Sequence, residues 1–245
     1  MPTSLIAPHI FVLVHGAWHG GWCWSKVADE LRSRGHKVYT PTLTGLGERS
    51  HLAGSGVTMH TLVQDVANVL TWEDLAGVTL VGHSFGGLVI SGVADLMPRR
   101  ISRLVYLDAF ILESGVSTFD TLPADVVEKL RAVAADQPIA ALPAPRPKSL
   151  GLTEPDDIAF VESRLTPQPL GTYETSLQLN HPIGNGLPST YVHCTLPSFG
   201  AVQESRDWVK SNTDWPWMEL QTGHDAMVSA PSLVTKLLCS LAGCE

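Results

Sequence analysis

The sequence predicts an α/β protein: a mostly parallel sheet of about six strands flanked by helices, with a helical cap inserted between two of the strands. Three observations lead there. Short β-branched and apolar runs alternate with segments of helical period, the pattern of parallel strands joined by crossover helices. A Gly-x-Ser-x-Gly motif stands where one such run gives way to a helix. One long stretch has no convincing strand and several prolines, and it is too long for a plain loop in a compact domain.

The expected strands are 10–14, 37–40, 78–81, 104–107, 190–194 and 217–220, short runs of the kind that a sheet covered on both faces uses. Between them, 24–34, 59–70, 87–96, 202–210 and 231–241 carry helical period, the last opened by Pro231 and closed near Gly243. The interruption at 111–187 contains two helix-like segments, 124–135 and 156–164, separated by Pro138, Pro143, Pro145 and Pro147. Ile158, Val161 and Leu165 fall at helical spacing and need a surface to bury against, which favours a cap over a loose linker. The expected organisation is therefore a core of 1–110 and 188–245, with 111–187 as a cap in the same structural unit.

Composition narrows the partners. The chain has 245 residues, a formal net charge of −8 and no cationic run, so nucleic acid and anionic membrane surfaces are not expected to bind it. No apolar stretch approaches the roughly 18 residues of a membrane span, and the first ten residues lack a basic segment followed by an apolar one. A cytoplasmic location is expected. Cys23, Cys194, Cys239 and Cys244 show no CxxC spacing and read as reduced thiols, a Cys239–Cys244 bridge being the alternative.

The chemistry begins at Val78-Thr-Leu-Val81, which runs into Gly82-His83-Ser84-Phe85-Gly86-Gly87. A nucleophile on a sharp strand-to-helix turn needs small residues on either side, and the turn lifts the Ser84 hydroxyl clear of the sheet beside a helix N-terminus. A structural glycine turn is the plain alternative. After the first strand comes His15-Gly16-Ala17-Trp18-His19-Gly20-Gly21-Trp22. A serine nucleophile needs two N–H donors aimed at the developing oxyanion, and the motifs offer Ala17 and Phe85. Neither GxxxxGK nor GxGxxG occurs, so this is not a phosphate loop. Of ten histidines, His224 in Thr222-Gly223-His224 follows the last strand and is the expected base, since strand-end loops of a parallel sheet converge on one crevice. His15 and His83 read as residues that pack or orient backbone. No HExxH or close His/Asp cluster suggests a metal, and none is expected.

At these residues the chain resembles the α/β-hydrolase superfamily, in the branch of plant methylesterases, hydroxynitrile lyases and bacterial esterases such as pyrethroid hydrolases. The likeness runs nearly end to end. It rests on residues 15–22, 41–49 (Pro-Thr-Leu-Thr-Gly-Leu-Gly-Glu-Arg), 82–87, 107–110 and Gly223-His224. It implies the α/β-hydrolase fold with a helical cap, ester chemistry without a cofactor, and Ser84 and His224 in their usual roles. Leu165-Thr-Pro-Gln-Pro-Leu170 looks like the cap segment of the bacterial esterases.

The chain departs from this branch at the acid that should orient the base. Relatives carry it shortly after the Cys that ends the penultimate strand, and here Cys194 is followed by Thr-Leu-Pro-Ser. Asp108, at the end of an adjacent strand, is the leading candidate, because some hydrolases of this fold carry the acid one strand earlier. Glu204 is second, and Asp225 would have difficulty turning back onto the ring. Asp108 has its own plain reading as a strand-end carboxylate capping a turn. Hydroxynitrile lyases of this branch have Thr and Lys where this chain has Gly16 and Asp225, and epoxide hydrolases need an Asp nucleophile, so both activities are disfavoured.

The expected activity is hydrolysis of a small to medium, largely apolar carboxylic ester or lactone through an acyl-enzyme. Trp18, Phe110, Phe119 and Tyr173 are expected in the pocket wall. The expected partner is a small-molecule ester, with a homodimer as an option. The competing readings are a non-hydrolytic ligand-binding protein and an enzyme acting on C–C bonds or cyclising a metabolite.

Overall fold

The computed structural model describes residues 8–244. Most of the expectation drawn from the first ten residues concerns 1–7, which lie outside the described residues. Strand β1 (Ile10–Val14) shows how the sheet is covered. Val12 and Val14 enter one hydrophobic cluster while Phe11 and Leu13 enter the other, the period of two that sends successive side chains to opposite faces. Its partners are β2 (Lys37–Tyr39) and β3 (Val78–His83), followed by β4 (Ile101–Leu107), β7 (Ser189–Cys194) and β8 (Trp217–Leu220). The order is β2-β1-β3-β4-β7-β8 and every pairing is parallel.

Helices α2 (Met59–Trp72), α3 (Gly86–Leu96) and α7 (Gln203–Asn212) cover one face through Leu62, Val66, Ile90, Val93 and Val209. Helices α1 (Ser25–Ser33) and α9 (Pro231–Ala242) cover the other through Val27, Leu31, Leu237 and Leu238, and the single turn α8 (Ala226–Ser229) adds Met227 to the same cluster. Helix α2 opens on a capping box between Thr58 and Thr61. The chain ahead of α1 is a 3-10 turn, Gly21–Trp24, so that helix starts at Ser25.

The segment between β4 and β7 contains α4 (Ala124–Ala135), α5 (Pro155–Glu162) and α6 (Gly171–Glu174). It also holds an antiparallel ribbon of β5 (Ala141–Leu142) and β6 (Gln168–Pro169), against the expectation of no strand there. Two residues show no period, and Pro169 argues against a strand except at an edge. Val161 is fully buried, with Ile158 and Leu165 packed on the cluster that α1 and α9 share. The four cysteines are buried thiols, and the described residues contain no disulfide. Cys244 returns towards Cys239 because α9 ends on left-handed Gly243, and the Cys244 N–H donates to the Cys239 carbonyl at 2.9 Å.

Candidate active site

Strand order reverses between β1 and β3: from β1 the chain crosses to β2 on one side, and from β3 it proceeds through β4, β7 and β8 on the other. A crevice opens at such a switch point, outside the C-terminal strand ends. The 15–22 loop and Ser84 both lie there. Strand β3 runs two residues further than expected, so Gly82 and His83 are still in the sheet and the turn falls on Ser84. Ser84 has φ of 52°, a left-handed conformation that costs an L-residue about 1–2 kcal/mol. Three backbone hydrogen bonds hold it: Ser84 N–H donates to Leu107 O at 3.1 Å, and Gly87 and Phe110 N–H donate to Ser84 O, each at 2.9 Å. A Cβ at position 82 would sit 2.6 Å from the Gly86 carbonyl, and one at 86 would sit 2.7 Å from that of His15. Both glycines are steric requirements of the turn.

His224 Nδ1 donates to Asp108 Oδ2 at 2.7 Å, with Asp108 fully buried and itself left-handed at φ 42°. Asp108 is therefore the carboxylate that meets the imidazole, while Glu204 lies in α7 on the cavity wall. The other oxygen of Asp108 accepts from Cys194 N–H and from Arg206 Nη1, both at 3.3 Å. Arg206 is almost completely buried, and it also donates to Phe199 O at 2.9 Å, whose ring stacks on His224 with centroids 3.9 Å apart. Sequence reasoning missed Arg206, because an arginine in a polar helix reads as a solvated one. Beneath the base, His83 Nε2 donates to the His224 carbonyl at 2.9 Å. Burial holds His83 well below the ordinary imidazole value, so it serves as a neutral backbone clamp.

Ser84 and His224 open on the same cavity, and among the described residues the Ser84 hydroxyl has no hydrogen-bond partner. Catalytic hydrogen bonds of a ligand-free site commonly tighten when substrate arrives. The N–H groups of Ala17 and Phe85 are likewise unpaired among the described residues, although both residues are buried. Buried donors are nearly always satisfied, so an unpaired couple beside a nucleophile marks where an oxyanion would sit. The loop holds Ala17 in place from both sides. His15 Nδ1 donates to Gly16 O at 2.8 Å and His19 Nδ1 to Ala17 O at 2.8 Å. A Cβ at Gly16 would fall 2.8 Å from the Cβ of Ser84, so any side chain here would force the loop or the nucleophile to move.

The two imidazoles are shifted in opposite directions. His15 Nε2 accepts the Leu43 N–H at 3.0 Å, and burial pushes its pKa down to about 3, so His15 is neutral. His19 Nε2 instead donates to Asp225 Oδ2 at 3.2 Å. Burial opposes charge on both partners, yet their mutual attraction more than offsets it, lifting His19 above the ordinary imidazole value and holding Asp225 below the ordinary carboxylate value. The sign of the pH dependence follows. His15 and His83, with lowered values, contribute stability above pH 6.5 that is lost as pH falls below it. His19, with a raised value, contributes stability below pH 6.5 that is lost as pH rises through its folded value. The melting temperature should peak near neutrality, and His19→Gln should flatten the alkaline limb. A wild-type melting temperature unchanged from pH 6.5 to 9 would refute the charged pair.

The cavity has a volume of about 270 Å³. Trp18, Phe110, Tyr173 and Phe199 form part of its wall. Phe119 does not: it stands behind the wall, its ring edge-on to Tyr173 at 5.8 Å and under the Arg131 guanidinium at 5.5 Å. Thr118, next to it, lines the cavity instead, with a buried hydroxyl unpaired among the described residues. Burial raises the thiols of Cys23 and Cys194 far above the usual range, so neither competes as a nucleophile. Among the described residues, metal-ligating atoms gather only at His36, Cys239 and Cys244, within 4.8 Å of one another. His36 precedes β2, at the opposite end of the sheet from Ser84, so that trio takes no part in this site.

A family model described as alpha/beta hydrolase family matches residues 11–237. A carbendazim hydrolyzing esterase from Nocardioides sp. (strain SG-4G) is 40% identical over 242 residues, covering 94% of this chain and 98% of that protein. An alpha-hydroxynitrile lyase from Arabidopsis thaliana is 39% identical over 107 residues, 42% of this chain and 40% of the lyase. Among solved structures, an extracellular alpha/beta-hydrolase from a Paenibacillus species superposes with a TM-score of 0.78 at 26% identity, covering 95% of this chain and 98% of that one.

Proposed function

The chain belongs to the alpha/beta hydrolase family, and from that premise we propose that it is a serine esterase that cleaves a small to medium, largely apolar carboxylic ester or lactone. The observation that carries the reading is the 2.7 Å contact of His224 with buried Asp108, beside a left-handed Ser84 that opens on the same cavity. The 40% identical relative, named as an esterase, supports it.

In this reading Ser84 Oγ attacks the acyl carbon while His224 Nε2 takes the hydroxyl proton. The tetrahedral oxyanion receives the N–H groups of Ala17 and Phe85. Collapse breaks the bond to the alkoxy oxygen, which leaves as an alcohol with the proton from His224. Water then attacks the acyl-enzyme, with His224 again as base, and releases the acid and free Ser84. No Lys or Arg lines the cavity and Glu204 does, which favours a neutral substrate over an anionic one. Thr118 can pair one polar atom of that substrate. We also read the enzyme as cytoplasmic, with neither nucleic acid nor membrane as partner. The charge of −8 supports the reading that no polyanion binds, and no helix among the described residues is long and apolar enough to cross a membrane. Light scattering decides between a monomer and a homodimer.

The test is release of p-nitrophenol from a short-chain p-nitrophenyl ester by purified protein, together with labelling by a fluorophosphonate and mass mapping of the adduct. Many turnovers and one label on Ser84 are expected. Release that stops at one equivalent would instead identify a ligand-binding protein that retains the fold.

A further inference from the structure

Trp18 follows the Ala17 donor and has φ of 64°, a conformation that a bulky residue adopts only when its surroundings impose it. All the groups that impose it through Trp18 itself come from the segment between β4 and β7. The Trp18 N–H donates to Gln168 Oε1 at 3.0 Å, the Trp18 carbonyl accepts from Thr166 N–H at 2.9 Å, and the indole N–H donates to Leu142 O at 3.2 Å. Leu142 and Gln168 face each other in the β5–β6 ribbon.

Gln168 is fully buried and has only one workable orientation. The Thr172 hydroxyl donates to Pro169 O at 2.7 Å, so it offers only lone pairs to Gln168, 2.8 Å away. The end of the amide facing Thr172 must therefore be the NH₂, which turns the carbonyl towards Trp18. The peptide between Ala17 and Trp18 is then fixed at both poles, its carbonyl by His19 and its N–H by Gln168. The N–H of Ala17 is the donor that this arrangement leaves unpaired.

We propose that Gln168 is a positioning residue for the oxyanion hole: by holding the Trp18 N–H from the cap side, it keeps Trp18 left-handed and the Ala17 N–H aimed at the carbonyl oxygen of the substrate. The proposal rests on the esterase reading and on Ala17 as a donor. It makes the cap a part of the catalytic geometry as well as a wall of the pocket. Gln168 touches no reacting atom and acts through one peptide unit.

Gln168→Met keeps the length and removes both hydrogen bonds. For a p-nitrophenyl ester, kcat should fall about 10- to 100-fold, less than or equal to the typical loss of a whole oxyanion donor, with KM changed less than about twofold. A trifluoromethyl ketone, whose adduct with Ser84 carries a tetrahedral oxyanion, should bind more weakly by the same factor as kcat. Should Gln168→Met fail to fold, Thr172→Val removes the acceptor that anchors the amide NH₂ and should give a smaller loss of the same pattern. The proposal is overturned if the variant keeps wild-type kcat, or if KM and melting temperature worsen while ketone affinity holds. Failure of the esterase reading itself is distinct, because the wild type would then show no turnover at all.

Discussion

Replacing Ser84 with alanine should lower kcat for ester hydrolysis by about 10⁶, the loss typical of removing the nucleophile from a serine–histidine–acid unit. Binding should survive. The aromatic walls at Trp18, Phe110 and Tyr173 do not depend on the hydroxyl, so the dissociation constant of a non-reactive substrate mimic should change by only a few fold. Stability should hardly move, because alanine at φ 52° carries the same left-handed strain as serine. Ser84→Gly sharpens the test. It should be as inactive as the alanine variant yet more stable by about 1 kcal/mol, since glycine adopts this conformation without the penalty. Steady-state kinetics and thermal melts on the three proteins read both effects. Activity in Ser84→Ala within a hundredfold of wild type would mean that the hydroxyl is not the nucleophile.

The parts of this molecule that were legible beforehand share a physical cause. The strands could be read because a covered parallel sheet demands unbroken apolar runs, and Val78–Val81 offers nothing else it could be. Ser84 and His224 were legible because turn chemistry and strand ends restrict where such residues can stand. Asp108 was reachable by the same logic, as the carboxylate at the end of β4. What stayed hidden depends on contacts between distant segments. Arg206 lies in a helix with polar neighbours on both sides, and only the fold turns it inward to Asp108. Gln168 sits in a motif noticed for its resemblance, but its partner Trp18 is 150 positions away. Thr118 lines the cavity where Phe119 was expected, since one step along the chain decides which side chain faces it. The two-residue strands β5 and β6 have too little sequence to carry a period.

Arg206 also determines how the acid can be tested. In Asp108→Asn the new amide must choose which end to present to His224. Asp108 Oδ1 accepts from both the Arg206 guanidinium and the Cys194 N–H, and neither donor tolerates an NH₂ in its place. The amide oxygen therefore stays on their side, and the NH₂ faces His224 Nδ1 across the position of the present 2.7 Å contact. His224 Nδ1 must then accept, which moves the ring proton to Nε2, the atom that has to take the proton of Ser84. An imidazole in the wrong tautomer cannot act as base, and the loss typical of this substitution is about 10⁴ in kcat. KM should change little, and NMR of the ring nitrogens should show the proton on Nε2 in the variant and on Nδ1 in the wild type. Glu204→Gln is the necessary companion. Glu204 meets the cavity but not the base, so its loss should change kcat by only a few fold. If Asp108→Asn retains a tenth of the activity, Asp108 is a strand-end cap and the chemistry runs on a Ser–His dyad. If Glu204→Gln is the more damaging change, the acid acts from α7 and the observed His224–Asp108 contact is not the working one.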